Sequence, residues 1–396
     1  MGAQLKFVYF WTGIALLAVL TTACQRNISI PVNPLILSTA TPTFTFSPIF
    51  TQTPSFTATA TFTFSPIFTS SPTFTPTISF TPTNTPTATS TPTATGVPGV
   101  DWYESVAAPA FSGRYFHSSV VFNNSMWVIG GFNGARLQDV LSSADGKTWN
   151  QATGAAAFSA RYGQTSVTYG APVSMWVIGG NTGTGLANDV WASMDGAAWS
   201  STTLAAGFSP RYGLTSVVYN GLMWVIGGFD GAAPFDNDVW SSPDGITWTQ
   251  VLANGPSSST HFSGRAGSVC VVYNGAMYLT AGFDNVAPRT NDVWTSTDGI
   301  TWTQLTPAAA FAGREEPTVL VYNNALWLIG GRTGAALMND VWTSSDGITW
   351  NPVSNSTIFS PRYAHTSLVF NSGTGQEMWV IAGFGGGYLN DVWHSP

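Results

Sequence analysis

Glu315 and Glu316 are adjacent carboxylates that follow Arg314, and Arg332 lies in the same stretch of chain. Two acids beside a base are the side chains that general acid–base catalysis uses, and they also suit hydrogen bonding to a polyol. A solvated acidic rim is the plainer reading of the same residues. His117 and His365 offer imidazoles able to move protons or hold a metal, or simply to hydrogen-bond nearby backbone. Tyr115, Tyr162, Tyr212, Tyr363 and Tyr388 suit stacking on sugar rings, and equally packing over a core beneath them. With Arg136, these side chains form the candidate ligand-binding set. No His-x-x-x-His pair, cysteine cluster or calcium-loop spacing accompanies them, so neither a metal nor a cofactor is expected.

What must position these residues is one pattern of about fifty residues written six times between Phe111 and Pro396. Each copy starts on an arginine: Arg114, Arg161, Arg211, Arg265, Arg314 and Arg362. An apolar run follows and ends in an aromatic and a glycine pair, as in Met126-Trp127-Val128-Ile129-Gly130-Gly131. Then come Asn-Asp-Val-Trp, as at Asn339-Asp340-Val341-Trp342, and Asp-Gly-x-x-Trp, as from Asp346 to Trp350. The β-branched and aromatic runs read as four short strands, a to d, with Asp-Gly turns joining c to d because glycine accepts positive φ. A four-stranded meander cannot bury both faces alone, and radial packing against its neighbours does so.

Tryptophans support this register. Of 17, all but Trp11 fall on strand b (127, 176, 224, 327, 379), strand c (191, 240, 294, 342, 393) or strand d (102, 149, 199, 248, 302, 350). The last copy stops at Trp393-His394-Ser395-Pro396 without its strand d, while Asp101-Trp102-Tyr103-Glu104-Ser105-Val106 stands unpaired ahead of the first. The expectation is an all-β, six-bladed propeller over 100–396. Its blades span 111–154, 155–204, 205–254, 255–307, 308–355 and 356–396, and 100–110 supplies the last strand of the sixth. The arginine and the aspartate before each Val (139, 189, 238, 292, 340, 391) recur in every copy, so a buried ion pair between strands is expected of them.

From Asp101 to Pro396 these motifs resemble the kelch repeat, with its Arg-led strand a, glycine doublet and spaced aromatic and Trp. Departures are Ala281-Gly282 and Ala382-Gly383 in the doublet and Leu141 in place of a Trp. The resemblance implies a ligand site at the mouth formed by the start of strand a and the b–c and d–a connections. Copy five breaks the pattern there, with Arg314-Glu315-Glu316 and Arg332.

Composition limits the partners. The stretch from Asn27 to Val100 carries no charge, and the repeat region holds nineteen acidic against ten basic residues, a net charge of −9. That excludes nucleic acid, whose binding depends on neutralising phosphates. Lys6, the apolar run to Leu20 and Thr21-Thr22-Ala23-Cys24 read as an export signal over 1–24. Its end resembles a bacterial lipoprotein site, which implies acylation of Cys24 and a membrane anchor at the cell surface; plain secretion and an uncleaved anchor are the alternatives. Residues 25–99 carry twelve of the chain's 24 prolines among Thr, Ser and Phe, which reads as a disordered, extended linker. Cys270 has no partner in sequence and reads as a small core residue.

A surface recognition domain that binds a glycan or protein at the mouth, without catalysis and as a monomer, is the first expectation. The second is a carbohydrate isomerase, because a kelch-type sialic acid epimerase is also an exported six-bladed ring; Glu315, Glu316 and Arg332 would then be catalytic. Burial of one of those glutamates with a raised pKa favours this second reading. A third follows from Ser-x-Asp-Gly-x-x-Trp, as from Ser344 to Trp350, which resembles the sialidase Asp-box of glycosidases one residue short. Galactose oxidase shares the ring, but its copper site implies a crosslinked Cys and Tyr, and Cys270 sits within a strand.

Overall fold

The computed structural model describes residues 96–284, 289–354 and 358–396, together with 45–46 and 58–59. The export-signal segment, Cys24 and the remainder of the Thr/Pro-rich stretch lie outside the described residues. Strands β1 (Thr45–Phe46) and β2 (Ala58–Thr59) pair antiparallel in a unit of their own. Among the described residues of the repeat region every regular element is a strand.

Copy one folds as β4 (Ser118–Phe122), β5 (Ser125–Phe132), β6 (Arg136–Ser143) and β7 (Asn150–Thr153). Copy two adds a short β8 (Arg161–Tyr162) before β9 (Thr165–Tyr169), β10 (Ser174–Thr182), β11 (Gly185–Ser193) and β12 (Ser200–Thr203). Copy three gives β13 (Thr215–Tyr219), β14 (Leu222–Gly228), β15 (Asp236–Ser242) and β16 (Thr249–Leu252), and copy four β17 (Val269–Tyr273), β18 (Ala276–Thr280), β19 (Val293–Ser296) and β20 (Thr303–Thr306). Copy five gives β21 (Thr318–Tyr322), β22 (Ala325–Arg332), β23 (Leu337–Ser344) and β24 (Asn351–Val353). Copy six ends the chain with β25 (Thr366–Asn371), β26 (Gln376–Phe384) and β27 (Tyr388–Ser395), and β3 (Tyr103–Val106) pairs with β27.

The result is a β-propeller whose sheets differ from the expected six separate blades. Four sheets have four strands each, while copies one and two share one nine-stranded sheet. The cause is β8, which pairs with β10 of its own copy and reaches back to Leu137 on β6 of the copy before. In the other copies the corresponding pairings remain single bridges, such as Tyr212↔Phe229 and Glu315↔Arg332.

Each b strand is buried on both faces, because successive side chains point to opposite sides and each side meets a different neighbour. Met126 and Val128 pack with Phe370, Trp379 and Ile381 of copy six, and Trp127 and Ile129 pack with Met175 and Val177 of copy two. The b-strand tryptophan also covers the Asp-Gly turn of the following copy. A Cβ on Gly196 would lie 2.0 Å from the Trp127 ring, so that turn needs glycine for its space as well as its φ of 76°.

The chain ends reproduce this arrangement. Gly99 donates its backbone N–H to Ser395 Oγ at 2.8 Å, and Trp102 Nε1 donates to the Gly99 carbonyl. Those are the contacts Gly146 and Trp149 make inside copy one. Gly99 thus belongs to the repeat region, one residue before the expected boundary at 100, because it supplies the turn beneath Trp327 of copy five.

The repeated arginines are buried ties. All six are at most 1% exposed, and each makes two parallel hydrogen bonds of 2.5 to 3.0 Å to Asp139, Asp189, Asp238, Asp292, Asp340 or Asp391. Each Nη1 also donates to the carbonyl of the first doublet residue: Gly130, Gly179, Gly227, Ala281, Gly330 or Ala382. In five copies the c-strand tryptophan donates to the same aspartate; Leu141 removes that bond from copy one.

The doublet explains why alanine is tolerated at one of its positions only. First-position φ values lie between 56° and 63°, including Ala281 and Ala382, whereas second-position values run from 101° to 116° and belong to glycine alone. Gly179→Ala is expected to cost about 1–2 kcal/mol, the usual cost of a left-handed residue, and Gly180→Ala more than that, since its φ lies outside the left-handed basin. Denaturation midpoints of the two variants check this, and equal losses would refute it.

Candidate functional site

The residue after each repeated arginine pairs with the residue after the glycine doublet, and the six pairs surround one mouth. They are Tyr115 with Phe132, Tyr162 with Asn181, Tyr212 with Phe229, Ala266 with Phe283, Glu315 with Arg332 and Tyr363 with Phe384. Only copy five puts charge in this position.

One residue further inward the backbone closes on itself. Phe116, Gly163, Gly213, Gly267, Glu316 and Ala364 all have φ between 49° and 64°. Each donates its N–H to the carbonyl of the neighbouring member, at 2.8 to 3.1 Å, around the full circle. Copies without glycine here hold Phe116, Glu316 and Ala364 in the left-handed region, where an L-residue is strained. The circle of bonds holds them there.

Side chains above this waist form a second closed path. Tyr115 touches Phe116, Phe116 touches Tyr162, and Tyr162 touches Tyr212. The path continues through Phe229, Phe235 and Phe283, with ring centroids 4.7 to 5.8 Å apart. Arg289 lies over Phe283 at 5.1 Å and donates to Glu315; Arg332 donates to Glu315 as well and lies over Tyr363 at 4.5 Å. Tyr363 returns to Tyr115 at 5.9 Å. Tyr388, 43% exposed, leans on Tyr115 and Phe384. Arg136 sits at the edge, over Tyr162 and bonded to Asn181 Oδ1.

Glu316 has a different setting from Glu315. Glu315 is buried and ion-paired, while Glu316 lines two axial cavities of about 70 and 270 Å³. Burial and the neighbouring Glu315 charge push the Glu316 carboxyl up to about 8, against a smaller opposite pull from Arg332. This favours the neutral form of the carboxyl well above the usual glutamate range.

His117 and His365 line the smaller cavity with Glu316, so the structure joins them, though beneath the mouth. Each is buried with Nε2 on a threonine hydroxyl, Thr366 Oγ1 at 2.9 Å and Thr318 Oγ1 at 3.1 Å. Burial and the repeated arginines drive both imidazoles down, His117 to about 3, so they stay neutral. Their Nδ1 atoms, Gln164 Oε1 and Ser268 Oγ are buried without a protein partner, and the cavity is large enough for ordered water to satisfy such groups. Among the described residues no group of three His, Cys, Asp or Glu side chains is placed to hold a metal.

Sequence reasoning did not find Arg289, Phe116 or Asp236. Asp236 stands where other copies have Leu137, Ala187, Thr290, Met338 and Leu389. It lines a cleft of about 690 Å³ with Phe235 and Asn254, and burial pushes its carboxyl up to about 6 despite Arg211 nearby. The lengthened loops of copies three and four were the available signal for both Arg289 and Asp236.

A ring of antiparallel sheets with a concave mouth defines a β-propeller. Residues 100–261 match the KLHDC2/KLHL20/DRC7 Kelch-repeats domain, and residues 277–395 match the DUF6242 beta propeller domain. The chain thus carries a β-propeller, of which residues 100–261 are similar to kelch repeats. No curated protein matches its sequence.

Proposed function

We propose that this chain is a surface recognition protein in which a six-bladed propeller binds carbohydrate at its mouth without transforming it. Six interblade cores, the last joining copy six to copy one, support the six-fold count, with the nine-stranded sheet taken as two blades joined by β8. The observation that carries the binding reading is the path of aromatic rings around the mouth, interrupted only where Arg289, Glu315 and Arg332 join Phe283 to Tyr363. Sugar rings present apolar C–H faces bordered by hydroxyls. Tyrosine meets both with a rigid ring and a polar tip, at little entropic cost.

A glycan array probed with the purified protein tests this. Binding to at least one glycan is expected, weakened about tenfold or more in Tyr115→Ala or Tyr388→Ala. A blank array would reject carbohydrate and leave a protein ligand. The Thr/Pro-rich stretch serves in this reading as a spacer from a lipid anchor at Cys24. Fatty-acid labelling of the expressed chain, lost in Cys24→Ser, is the expected result, and unlabelled protein would contradict the anchor.

One observation favours the isomerase as a second reading. Glu316 is a carboxyl poised near neutrality, within a cavity, as a proton-transferring group must be. It predicts entry of solvent deuterium into a bound sugar, followed by NMR and abolished in Glu316→Gln. The Asp-box reading lacks such support: Asp244 Oδ1, for example, accepts the backbone N–H groups of Ile246 and Thr247, and its turn is a structural one.

A further inference from the structure

We propose that the mouth selects acidic sugars, with Arg289 and Arg332 receiving the ligand carboxylate. The proposal rests on the carbohydrate reading above and adds the ligand's charge. Arg289 donates Nε and Nη2 to Glu315 Oε1 at 2.9 and 2.7 Å, and Arg332 donates Nε and Nη2 to the same oxygen. Two guanidinium groups on one carboxylate leave a local charge of about +1 in a repeat region whose net charge is −9. Both arginines use the same edge, so the Nη1 amino group of each has no hydrogen-bond partner among the described residues.

These groups are held in place and reachable. The Phe283 and Tyr363 rings lie under the two guanidiniums, and the side chains are 19% and 40% exposed. A carboxylate presents two oxygens in a plane, the acceptor geometry that guanidinium N–H groups match. Burial and the Glu315 charge raise the Glu316 carboxyl to about 8, which weakens its competition for the two arginines. The other five pairs around the mouth are uncharged, and Arg136 at its edge is bonded to Asn181, so the paired arginines of the copy-five side orient the carboxylate toward themselves. A peptide carboxylate carries the same charge. The aromatic path around the rest of the mouth favours a sugar ring.

The test titrates the purified full chain with glucuronate-terminated and glucose-terminated oligosaccharides of one linkage, and with an acidic peptide, at about 50 and about 500 mM salt. The acidic sugar is expected to bind about tenfold more tightly than the neutral one at low salt. In Arg289→Gln and in Arg332→Gln that preference is expected to disappear, the acidic sugar binding no more tightly than the neutral one. Equal wild-type affinity for the two sugars would overturn the proposal and leave the carbohydrate reading standing. Binding to neither sugar, with or without binding of the peptide, would overturn both. Where a variant fails to fold, salt dependence decides: a wild-type preference that does not shrink at high salt would overturn the role of the arginines.

Discussion

Replacing Arg161 with Met is expected to destabilise the propeller by about 3–5 kcal/mol, the cost of breaking a buried, hydrogen-bonded ion pair from one side. Arg161 is fully buried; it bonds the Ser159 and Gly179 carbonyls and both oxygens of Asp189 and lies over Phe158. Methionine fills much of the volume and supplies none of these donors. Asp189 is left with Trp191 Nε1 but without its counter-charge. The double variant Arg161→Met/Asp189→Leu should recover part of the loss, because it removes the stranded charge. Denaturant midpoints of the three proteins measure this, and a single-variant loss below about 1 kcal/mol would mean that the tie is decorative.

The same pair predicts a pH dependence. Against the opposing effect of burial, the Arg161 hydrogen bonds and charge hold the Asp189 carboxyl below its usual value, and Arg265 does the same for Asp292. A depressed folded pKa gives stability that is present above the unfolded carboxylate range, about 4, and is lost as pH falls below it.

Glu316 gives the opposite sign. Its carboxyl is raised in the folded chain to about 8, so folding holds a proton that the unfolded chain releases above about 4.3. Stability is therefore lost as pH rises from about 4 to about 8 and levels off beyond. Glu316→Gln removes that titration. The variant should melt with wild type near pH 4 and several degrees above it at pH 8, each kcal/mol moving Tm by roughly 2–4 °C in a large domain. His117 and His365 stay neutral through this window, and Tyr212 and Tyr363 stay protonated, so none of them masks the effect. Arg332 stays charged throughout. Parallel melting profiles for the two proteins would show Glu316 to be ionised in the fold.

Repetition made much of this legible. A residue needed in every copy must serve what every copy does, which is why the arginines and aspartates could be read as structural partners from spacing alone. Trp102 could likewise be assigned to the last copy, because its register was vacant there. Gly99 was harder: its Gly-x-x-Trp spacing to Trp102 matches Gly146 to Trp149, but the serine that completes the turn is Ser395 at the other end of the chain. The merging of copies one and two depends on one added pairing at β8, a difference too small to mark the sequence.

The site was half legible for a related reason. Deviations from the repeat pointed to Glu315, Glu316 and Arg332, yet what separates the two glutamates is backbone geometry: φ of 53° turns Glu316 toward the axis, and Glu315 points into an ion pair. Arg289 comes from the copy-four loop, so its partnership with Glu315 crosses between blades and has no local signature. The histidines looked chemical because imidazole titrates near neutrality in water. Burial beneath the waist removes that property.

The most direct measurement is hydrogen–deuterium exchange of the full chain, free and saturated with a glycan that binds on the array. The account predicts slower exchange in the segments carrying Tyr115, Tyr212, Arg332 and Tyr388, with the Asp145, Asp244 and Asp298 turns unchanged. Protection at those turns, with the mouth segments unaffected, would contradict it.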